Sequence, residues 1–320
     1  MNSTNGKLYI AYSNNESTRY TSTSGGIGSQ IVKYLFENRL INSAIAFKFS
    51  SASLQYEPQI ITRKEEYINS GSIYHEINLI SFIKNNIGNI KSPFCCFCLP
   101  CQTKALRFIL SQNNIDSLLI ELTCSSQQSY EATEYLFKRL HLKKNDIKYF
   151  QYRGNGWPSG IQIQTKNSNI FVPNNGSIWT KIFHSQLFCM KRCFQCNPDI
   201  PSVADLTIAD PWRICNIKDE KIGRTLCYAH TSKAIDLIIE LKNRDLISYN
   251  EIPIEMYEYS QYGTYQRKRT AIRNKRSNNF KIKLFTNRFY RKVILSYNMS
   301  LYIHLFIKKF LETIVVKIAK

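Results

Sequence analysis

The sequence has no long apolar run. No stretch reaches the roughly 18 consecutive apolar residues of a membrane-spanning helix, and residues 1–20 are polar, without the apolar centre of an export signal. We therefore expect a cytoplasmic protein. Its 320 residues, 43% of them hydrophobic, are enough to bury one large core or two smaller ones.

Acidic residues are almost missing from the end of the chain. From Tyr265 to Lys320, Glu312 stands alone against fifteen Lys and Arg, so this segment carries +14 of the formal net charge of +20. The body upstream has an ordinary charge balance. A basic segment of this kind is typical of proteins that bind nucleic acid or anionic membranes.

The last part of this basic segment has the pattern of a cationic amphipathic helix. Polar residues, among them His304, Lys308 and Lys309, fall on one side, and the other side is apolar: Ile303, Phe306, Ile307, Phe310, Leu311, Ile314, Val315 and Ile318. Three interpretations stay open: a helix docked on the protein's own core, binding to the anionic inner face of the membrane, and binding to nucleic acid. Nucleic acid is the least expected partner, because no nucleic-acid-binding module accompanies the basic residues.

Cysteine is absent from the first 94 residues, although the chain has ten. In a cytoplasmic protein they are not expected to form a disulfide framework, so metal or redox chemistry is the first candidate. Cys193 and Cys196 form a Cys-x-x-Cys pair, preceded by Cys189, and such a pair can place two thiolates on one metal. Two buried apolar cysteines, or half of a zinc site, would give the same pattern.

The hydrophobic pattern predicts a mixed α/β protein, because strand-like and helix-like segments alternate in the first half. After Ile147 short strands and turns follow. We predict an α/β flavin and cluster domain over 1–145, a β-rich Cys-x-x-Cys domain over 146–264, and a basic amphipathic helical tail over 265–320. The main predicted elements are strands at 8–12, 44–49, 94–99 and 117–122, and helices from Ile27 and over 74–86 and 130–140.

Two cysteines follow neighbouring predicted strands. Cys101 lies at a strand-to-helix junction, where the helix N-terminus would lower the pKa of a thiol, whereas Cys95, Cys96 and Cys98 look like strand residues packed in the core. Cys124 comes just after the next strand. If the two strands are parallel and adjacent, Cys101 and Cys124 share the carboxyl edge of the sheet, where α/β proteins bind ligands.

Five motifs occur in the order in which a known family has them. They are Ser22 to Gly26, Phe97 to Gln102, Leu122 to Ser126, Asn155 to Trp157, and Cys193 to Cys196 followed by Ala204 to Trp212. They resemble five motifs of the beta subunits of coenzyme F420 hydrogenases and dehydrogenases. In the same order, these are the Ser-Ser-Ser-Gly-Gly loop, the Gly-Thr-Pro-Cys-Gln, Cys-His-Gly and Asn-Gly-Trp elements, and a Cys-x-x-Cys followed by Ser-Asp-Ile-Thr-Leu-Gly-Asp-Phe-Trp. The resemblance extends over roughly residues 8–230.

The resemblance implies an oxidoreductase that binds FAD and a 4Fe-4S cluster and passes electrons between them. Its partner would be a redox protein or a small-molecule electron donor, and F420 itself is not implied. Many bacterial members are encoded near surface-polysaccharide genes, which makes a link to that biosynthesis an expectation. Carried over, the cluster ligands are Cys101, Cys124, Cys193 and Cys196, with Cys189 in reserve, and the FAD-binding residues are Ser24, Gly25, Gly26, Asn155, Gly156, Trp157 and Asp210.

Taken alone, these residues also have plainer interpretations. The glycine loop at a helix start suits a phosphate, but it is equally an ordinary turn. Trp157 could lie against a flavin ring or anchor the core, and Asp210 could bind a cofactor or cap a turn.

The chain also departs from the family pattern. It lacks the ferredoxin-type run of cysteines at the N-terminus, Ser125 stands where the family has histidine, and Glu65 and Glu66 stand where it has lysine. The alternative from another class is a non-catalytic, zinc-stabilised interaction protein whose tail binds membrane or nucleic acid. Because every motif lies upstream of residue 265, we expect cofactor binding not to need the tail.

Overall fold

The computed structural model describes residues 6–296 and 300–318, without the side chains of Ser277, Ser300 and 311–318. Its strands are β1 Lys7–Ser13, β2 Ser43–Ser50, β3 Gln55–Ile61, β4 Phe94–Cys98, β5 Ser117–Leu122, β6 Ile147–Gln151, β7 Gly160–Thr165, β8 Asn169–Pro173, β9 Leu206–Ala209, β10 Thr225–Ala229 and β11 Ile247–Ile252. Its helices are α1 Glu16–Thr21, α2 Ile27–Glu37, α3 Leu79–Asn85, α4 Pro100–Gln112, α5 Glu131–Arg139, α6 Ile178–Ser185, α7 Ser232–Asn243, α8 Glu255–Arg273, α9 Lys275–Phe285, α10 Arg288–Ser296 and α11 Ser300–Ile318.

Eight strands form one mixed sheet in the order β11-β1-β10-β9-β5-β4-β2-β3. The central strands β2, β4, β5 and β9 run parallel to one another. At one end β3 pairs antiparallel with β2, and at the other end β10, β1 and β11 continue the sheet in antiparallel pairs. Residues 118–120 of β5 are almost completely buried, as expected of a central parallel strand that is covered on both faces. The predicted α/β class is confirmed, and so is the parallel pairing of the strands that precede Cys101 and Cys124.

Helices cover both faces of this sheet. One core contains Ile31 of α2 and Ile238 of α7, and the other contains Ile83 of α3 and Leu106 of α4. A further core, rich in aromatic side chains such as Trp179, joins the separate sheet β6-β7-β8 to α5 and α6. Strands β9, β10 and β11 belong to the same sheet as β1 to β5, so this sheet contains strands from before and after residue 145. The predicted domain boundaries at residues 145 and 264 stay predictions.

The helix predicted over 74–86 is wrong in its first part. Only Leu79–Asn85 is helical, and it begins after Asn78, whose side chain accepts a hydrogen bond from the Ser81 amide. The residues before it are extended, because His75 pairs with Gln128 in an isolated bridge and its Nε2 accepts a hydrogen bond from the Tyr56 amide. These long-range contacts override the helical spacing.

The basic segment packs on the body of the protein. The ammonium of Lys268 on α8, 6% exposed, donates to the carbonyl of Cys124 at 2.7 Å. On α9, Asn278 donates to the carbonyl of Phe194 at 2.7 Å, and Ile282 and Phe285 are buried against Cys189 and Phe194. Helices α8 and α9 are therefore part of the folded body, and the expectation that cofactor binding does not need the segment after residue 265 stays a prediction.

Helix α11 docks through the side that carries Leu301, His304 and Lys308. His304 is buried with its Nε2 at 2.9 Å from the Ser185 carbonyl and its Nδ1 at 2.8 Å from the Tyr290 hydroxyl, and Lys308 donates to the His184 carbonyl. The apolar residues Ile303 and Phe306 point outward instead. The sequence predicted the amphipathic pattern but not which side docks.

Four positions of that pattern, Leu311, Ile314, Val315 and Ile318, have side chains that lie outside the described part of the chain. Among the helices that the structure describes, none combines the length and the apolar character needed to cross a bilayer.

The packing of α9 predicts a stability difference between two phenylalanines of the same helix. Phe285 is fully buried and Phe280 is 54% exposed. We expect Phe285→Ala to lower the free energy of unfolding by about 3 kcal/mol, because it leaves a cavity against Cys189 and Phe194. Phe280→Ala is the matched control and should change it by less than about 0.5 kcal/mol. Equal denaturant midpoints for the two variants would contradict the docked position of α9.

Candidate functional site

The carboxyl ends of β4 and β5 position two of the predicted cluster cysteines. The strands pair in parallel with Cys98 opposite Glu121, so the residues that follow them emerge at one edge of the sheet. Cys101 lies in the first turn of α4, which begins at Pro100, and Cys124 follows β5 by two residues. The predicted convergence at this sheet edge is therefore present for both residues.

Cys193 reaches the same edge on a short 3-10 turn, Lys191–Gln195. The turn is held by Phe194, which is buried, and by a hydrogen bond from the Met190 amide to the Gln127 carbonyl at 3.0 Å. The Gln127 amide in turn donates to the Sγ of Cys193 at 3.4 Å. The loop after β5 and the Cys-x-x-Cys turn are thus joined directly.

The four predicted cluster cysteines lie within electrostatic range of one another. Burial raises the pKa of Cys124 to about 12, and the charges of Cys193, Cys101 and Cys196 add to that rise while Lys268 opposes it. The pKa of Cys101 is also raised, by burial of the thiol first and then by Cys193 and Cys196, against the opposing charge of Arg192. A backbone hydrogen bond at the start of the helix lowers the pKa of Cys101, as expected, but burial and the neighbouring thiols outweigh this effect, so the net shift is upward.

Cys193 behaves differently from the other three. Its pKa is lowered because the Cys189 thiol donates a hydrogen bond to it, and the Gln127 amide, Arg192 and Lys268 act in the same direction against burial. Cys189 is therefore a neighbour of the cluster cysteines. Cys95, Cys96 and Cys98 are buried in the core, as predicted.

In the described part of the chain, no three His, Cys, Asp or Glu side chains are close enough together to hold a single metal ion. The four thiols are near enough to affect one another's ionisation, but their sulfur atoms do not converge on a single metal-binding position. Their assignment as metal ligands stays a prediction.

Three cations surround the cysteines. Besides Lys268, the guanidinium of Arg267 donates to the carbonyl and to the hydroxyl of Ser125, both at 2.8 Å, and that of Arg192 donates to the Gln127 side chain at 2.8 Å. Within the residues that the structure describes, the ammonium of Lys268 forms no ion pair, and its hydrogen-bond acceptor is a neutral carbonyl. A buried, unpaired cation makes this region attractive for an anionic group.

Two adjoining cavities open at the same sheet edge. The first, called here the loop cavity, has a volume of about 220 Å³ and is lined by the glycine loop and by the ends of β4, β5 and β9. The second, the cysteine-side cavity, has about 400 Å³ and includes Cys124, Ser125 and Trp212 in its wall. The two share Leu122, Thr123 and Asp210, so a ligand that filled both would extend from the glycine loop to the cysteines.

Ser24 and Gly26 of the glycine loop, which was predicted to bind the cofactor, line the loop cavity, and Gly25 does not. Gly25 packs inside the protein: its amide donates to the Thr225 hydroxyl at 2.8 Å, and a Cβ there would lie 2.5 Å from the Ala11 carbonyl. Gly26, with φ of +79°, makes the turn into α2. Gly28 also lines the cavity, and a Cβ there would lie 2.9 Å from the Phe97 ring, so the start of α2 packs closely against β4 at the cavity wall.

The Asn-Gly-Trp segment lies outside the walls of both cavities. The Asn155 side chain is exposed and donates to Gln162, and the Gly156 amide donates to the Tyr20 carbonyl. Trp157 is buried, stacks near Trp212, and donates from Nε1 to the Asp210 carboxylate at 2.8 Å. This position matches the core-anchor interpretation of Trp157, and direct contact of the three residues with FAD stays a prediction.

Asp210 lines both cavities, but its carboxylate is bound inside the protein. The buried guanidinium of Arg153 donates to both carboxylate oxygens, at 2.7 and 3.0 Å, and also to the Thr23 carbonyl of the glycine loop. Gln261 of α8 donates to the Asp210 backbone carbonyl at 2.6 Å. Asp210 thus connects the glycine loop, the Asn-Gly-Trp segment and α8.

Sequence reasoning missed the groups that hold this site together. Arg153 stands two residues before the Asn-Gly-Trp motif, and that adjacency is a usable signal. Arg267 and Lys268 belong to a basic run, and no local pattern distinguishes them from their exposed neighbours. Arg192 lies directly before Cys193, a position typical of cations that stabilise a thiolate.

The fold and the site together define an α/β protein in which a thiol cluster and a ligand cavity share one sheet edge. Two family profiles match the chain, and both describe the beta subunit of coenzyme F420 hydrogenase/dehydrogenase. The profile of its C terminus matches residues 93–255, and the profile of its N-terminal part matches residues 8–84. The chain therefore belongs to the coenzyme F420 hydrogenase/dehydrogenase beta-subunit family, as its motifs predicted.

A solved structure has a similar fold. It is a chain of the xenon-derivatised F420-reducing NiFe hydrogenase complex from Methanosarcina barkeri, with a TM-score of 0.62 and 15% sequence identity, covering 86% of this chain and 92% of that chain. At this identity the likeness shows the fold. No curated protein sequence matches this chain.

The Asp210–Arg153 pair predicts a strong effect on stability. Asp210→Ala leaves the buried Arg153 guanidinium without a counter-charge, and we expect a loss of about 3–5 kcal/mol in the free energy of unfolding. The exposed pair Lys7–Glu251 is the matched control, and Glu251→Ala should cost less than about 1 kcal/mol. Chemical denaturation measures both, and a small effect of Asp210→Ala would mean that the carboxylate is not paired in solution.

Proposed function

We propose that this chain is an iron–sulfur flavoprotein subunit that transfers electrons between FAD and a 4Fe-4S cluster. The observation that carries the proposal is the convergence of Cys101, Cys124, Cys193 and Cys196 at the sheet edge that also holds the two cavities. Family membership adds to it, since the motifs that identify the family contain these four cysteines.

The electrostatics favour an anionic group among the cysteines. Four thiolates with no metal would repel one another, and this repulsion adds to burial, the larger cause, in raising the pKa values of Cys101 and Cys124. The buried ammonium of Lys268 is a cation in need of a counter-charge. A 4Fe-4S cluster held by four thiolates carries net negative charge, so it would satisfy both requirements.

The number of cysteines also bears on which metal group fits. A 4Fe-4S cluster is held by four cysteine thiolates, the number that the family motifs supply here, and a structural zinc ion can take four cysteines as well. Zinc remains the alternative that the metal analysis below decides.

The cavities suit FAD in size and position. Together they offer a few hundred cubic ångströms, which is within the range of ligand-binding sites, at the carboxyl ends of parallel strands. The start of α2, next to Ser24 and Gly26, supplies backbone N–H groups suited to a pyrophosphate. Leu122, Thr123 and Asp210, which line both cavities, would hold the rest of the cofactor.

When bound, FAD would supply two-electron exchange with a partner and the cluster would supply one-electron transfer. The protein's own residues bind, orient and tune these groups. Arg267 holds Ser125 at the position where the family has histidine, so no imidazole is available there for proton transfer. We expect a redox protein or a small-molecule donor as partner, a cytoplasmic location, and a link to surface-polysaccharide biosynthesis.

The cluster assignment predicts a selective loss of iron. Anaerobically reconstituted protein should contain about four iron and four sulfide per chain together with FAD. Cys193→Ser and Cys196→Ser should each remove most of the iron and the broad visible absorbance, because each removes a ligand. Cys215→Ser is the control, since Cys215 packs in a different core. Full iron in Cys193→Ser, or zinc without iron in the wild type, would overturn the proposal.

The unpaired charge of Lys268 predicts an effect on the reduction potential. A nearby cation stabilises the reduced, more negative cluster, so Lys268→Gln should make its midpoint potential more negative by on the order of tens of millivolts. Glutamine can still donate to the Cys124 carbonyl, which limits structural damage. Lys275→Gln, an exposed lysine of α9, is the control. Unchanged potential in Lys268→Gln, with full iron content, would show that its charge does not act on the cluster.

A further inference from the structure

The exposed side of α11 is unusual for a helix docked on its own protein. Ile303, Phe306 and Phe310 lie on the side opposite Leu301 and His304, which are buried, whereas the Tyr302 hydroxyl accepts a hydrogen bond from Lys181 of α6 at 2.8 Å. Phe306 is 72% exposed, Phe310 57% and Ile303 54%. A surface helix normally turns its polar residues to water, whereas here His304 and Lys308 are fixed to α6 and these large apolar side chains face outward.

We propose that this outward face of α11, defined by Ile303, Phe306 and Phe310, binds an anionic membrane surface. Helices that lie in the membrane interface combine large apolar side chains on one face with basic residues around them. The rings of Phe306 and Phe310 would enter the boundary between headgroups and acyl chains. The helix would lie along the surface, because its docking on α6 leaves only one side available.

Charge selects an anionic lipid surface over the other occupants. The segment 265–320 carries fifteen basic residues and one acidic residue, so it is attracted to a negatively charged bilayer. A second copy of this chain would bring an equally positive segment against the first, and the two would repel. Phe289 on α10, 76% exposed, is a further large apolar side chain next to basic residues, Arg288 and Lys292.

Vesicle flotation of the full-length protein tests the proposal. We expect the protein to float with vesicles of phosphatidylcholine containing about one-third phosphatidylglycerol, and not with pure phosphatidylcholine vesicles. Raising the salt concentration to about 0.5 M should weaken the binding, since the attraction to the headgroups is screened. The double variant Phe306→Ser/Phe310→Ser should reduce the bound fraction at a fixed lipid concentration by roughly tenfold.

The matched control removes two phenylalanines of similar exposure elsewhere. Phe108→Ser/Phe171→Ser, at 64% and 56% exposure, lies on α4 and β8 and should bind vesicles like the wild type. Circular dichroism and iron and flavin content should be unchanged in both double variants, so this test is independent of the proposed electron transfer. Three results would overturn the proposal: no flotation of the wild type, equal flotation of both double variants, or a concentration-dependent dimer that only Phe306→Ser/Phe310→Ser abolishes.

Discussion

The parallel pairing of β4 with β5 is the constraint on which the rest of the site depends. It brings the start of α4 and the loop after β5 to one edge of the sheet, and with them Cys101 and Cys124. The pairing of β5 with β9 extends the same edge to Asp210, which follows β9 directly. The cavities lie at this edge because the strand ends leave a crevice there that the glycine loop and α2 only partly close.

The second requirement is charge compensation across segments that are distant in sequence. Lys268 and Arg267 on α8 contact the loop that carries Cys124, and Gln261 on the same helix contacts Asp210. Arg153, in the middle of the chain, pairs with Asp210 and holds the glycine loop. The helices of the basic segment therefore differ in what they contact. Helices α8 and α9 pack against the site, whereas α11 has an exposed apolar face.

Local patterns were enough to predict the α/β class, most strands of the central sheet and the family. Buried strands such as β5 are continuous apolar runs, and motifs such as Cys-x-x-Cys keep fixed spacing, so both are visible in sequence. The helical spacing over 74–78 failed because His75 is taken into a bridge with Gln128, a contact that no local pattern reveals. The docked side of α11 could not be predicted either, since it depends on carbonyls at the end of α6, which receive hydrogen bonds from His304 and Lys308. The raised pKa of Cys101 comes from burial and from Cys193 and Cys196, which are about ninety residues away in sequence.

The central claim is that the four cysteines hold one cluster at the sheet edge beside the cavities. Anomalous diffraction from anaerobically grown crystals, recorded above and below the iron absorption edge, tests it most directly. The account predicts a compact iron peak enclosed by Cys101, Cys124, Cys193 and Cys196. A peak at the zinc edge alone, or iron bound away from these cysteines, would contradict it.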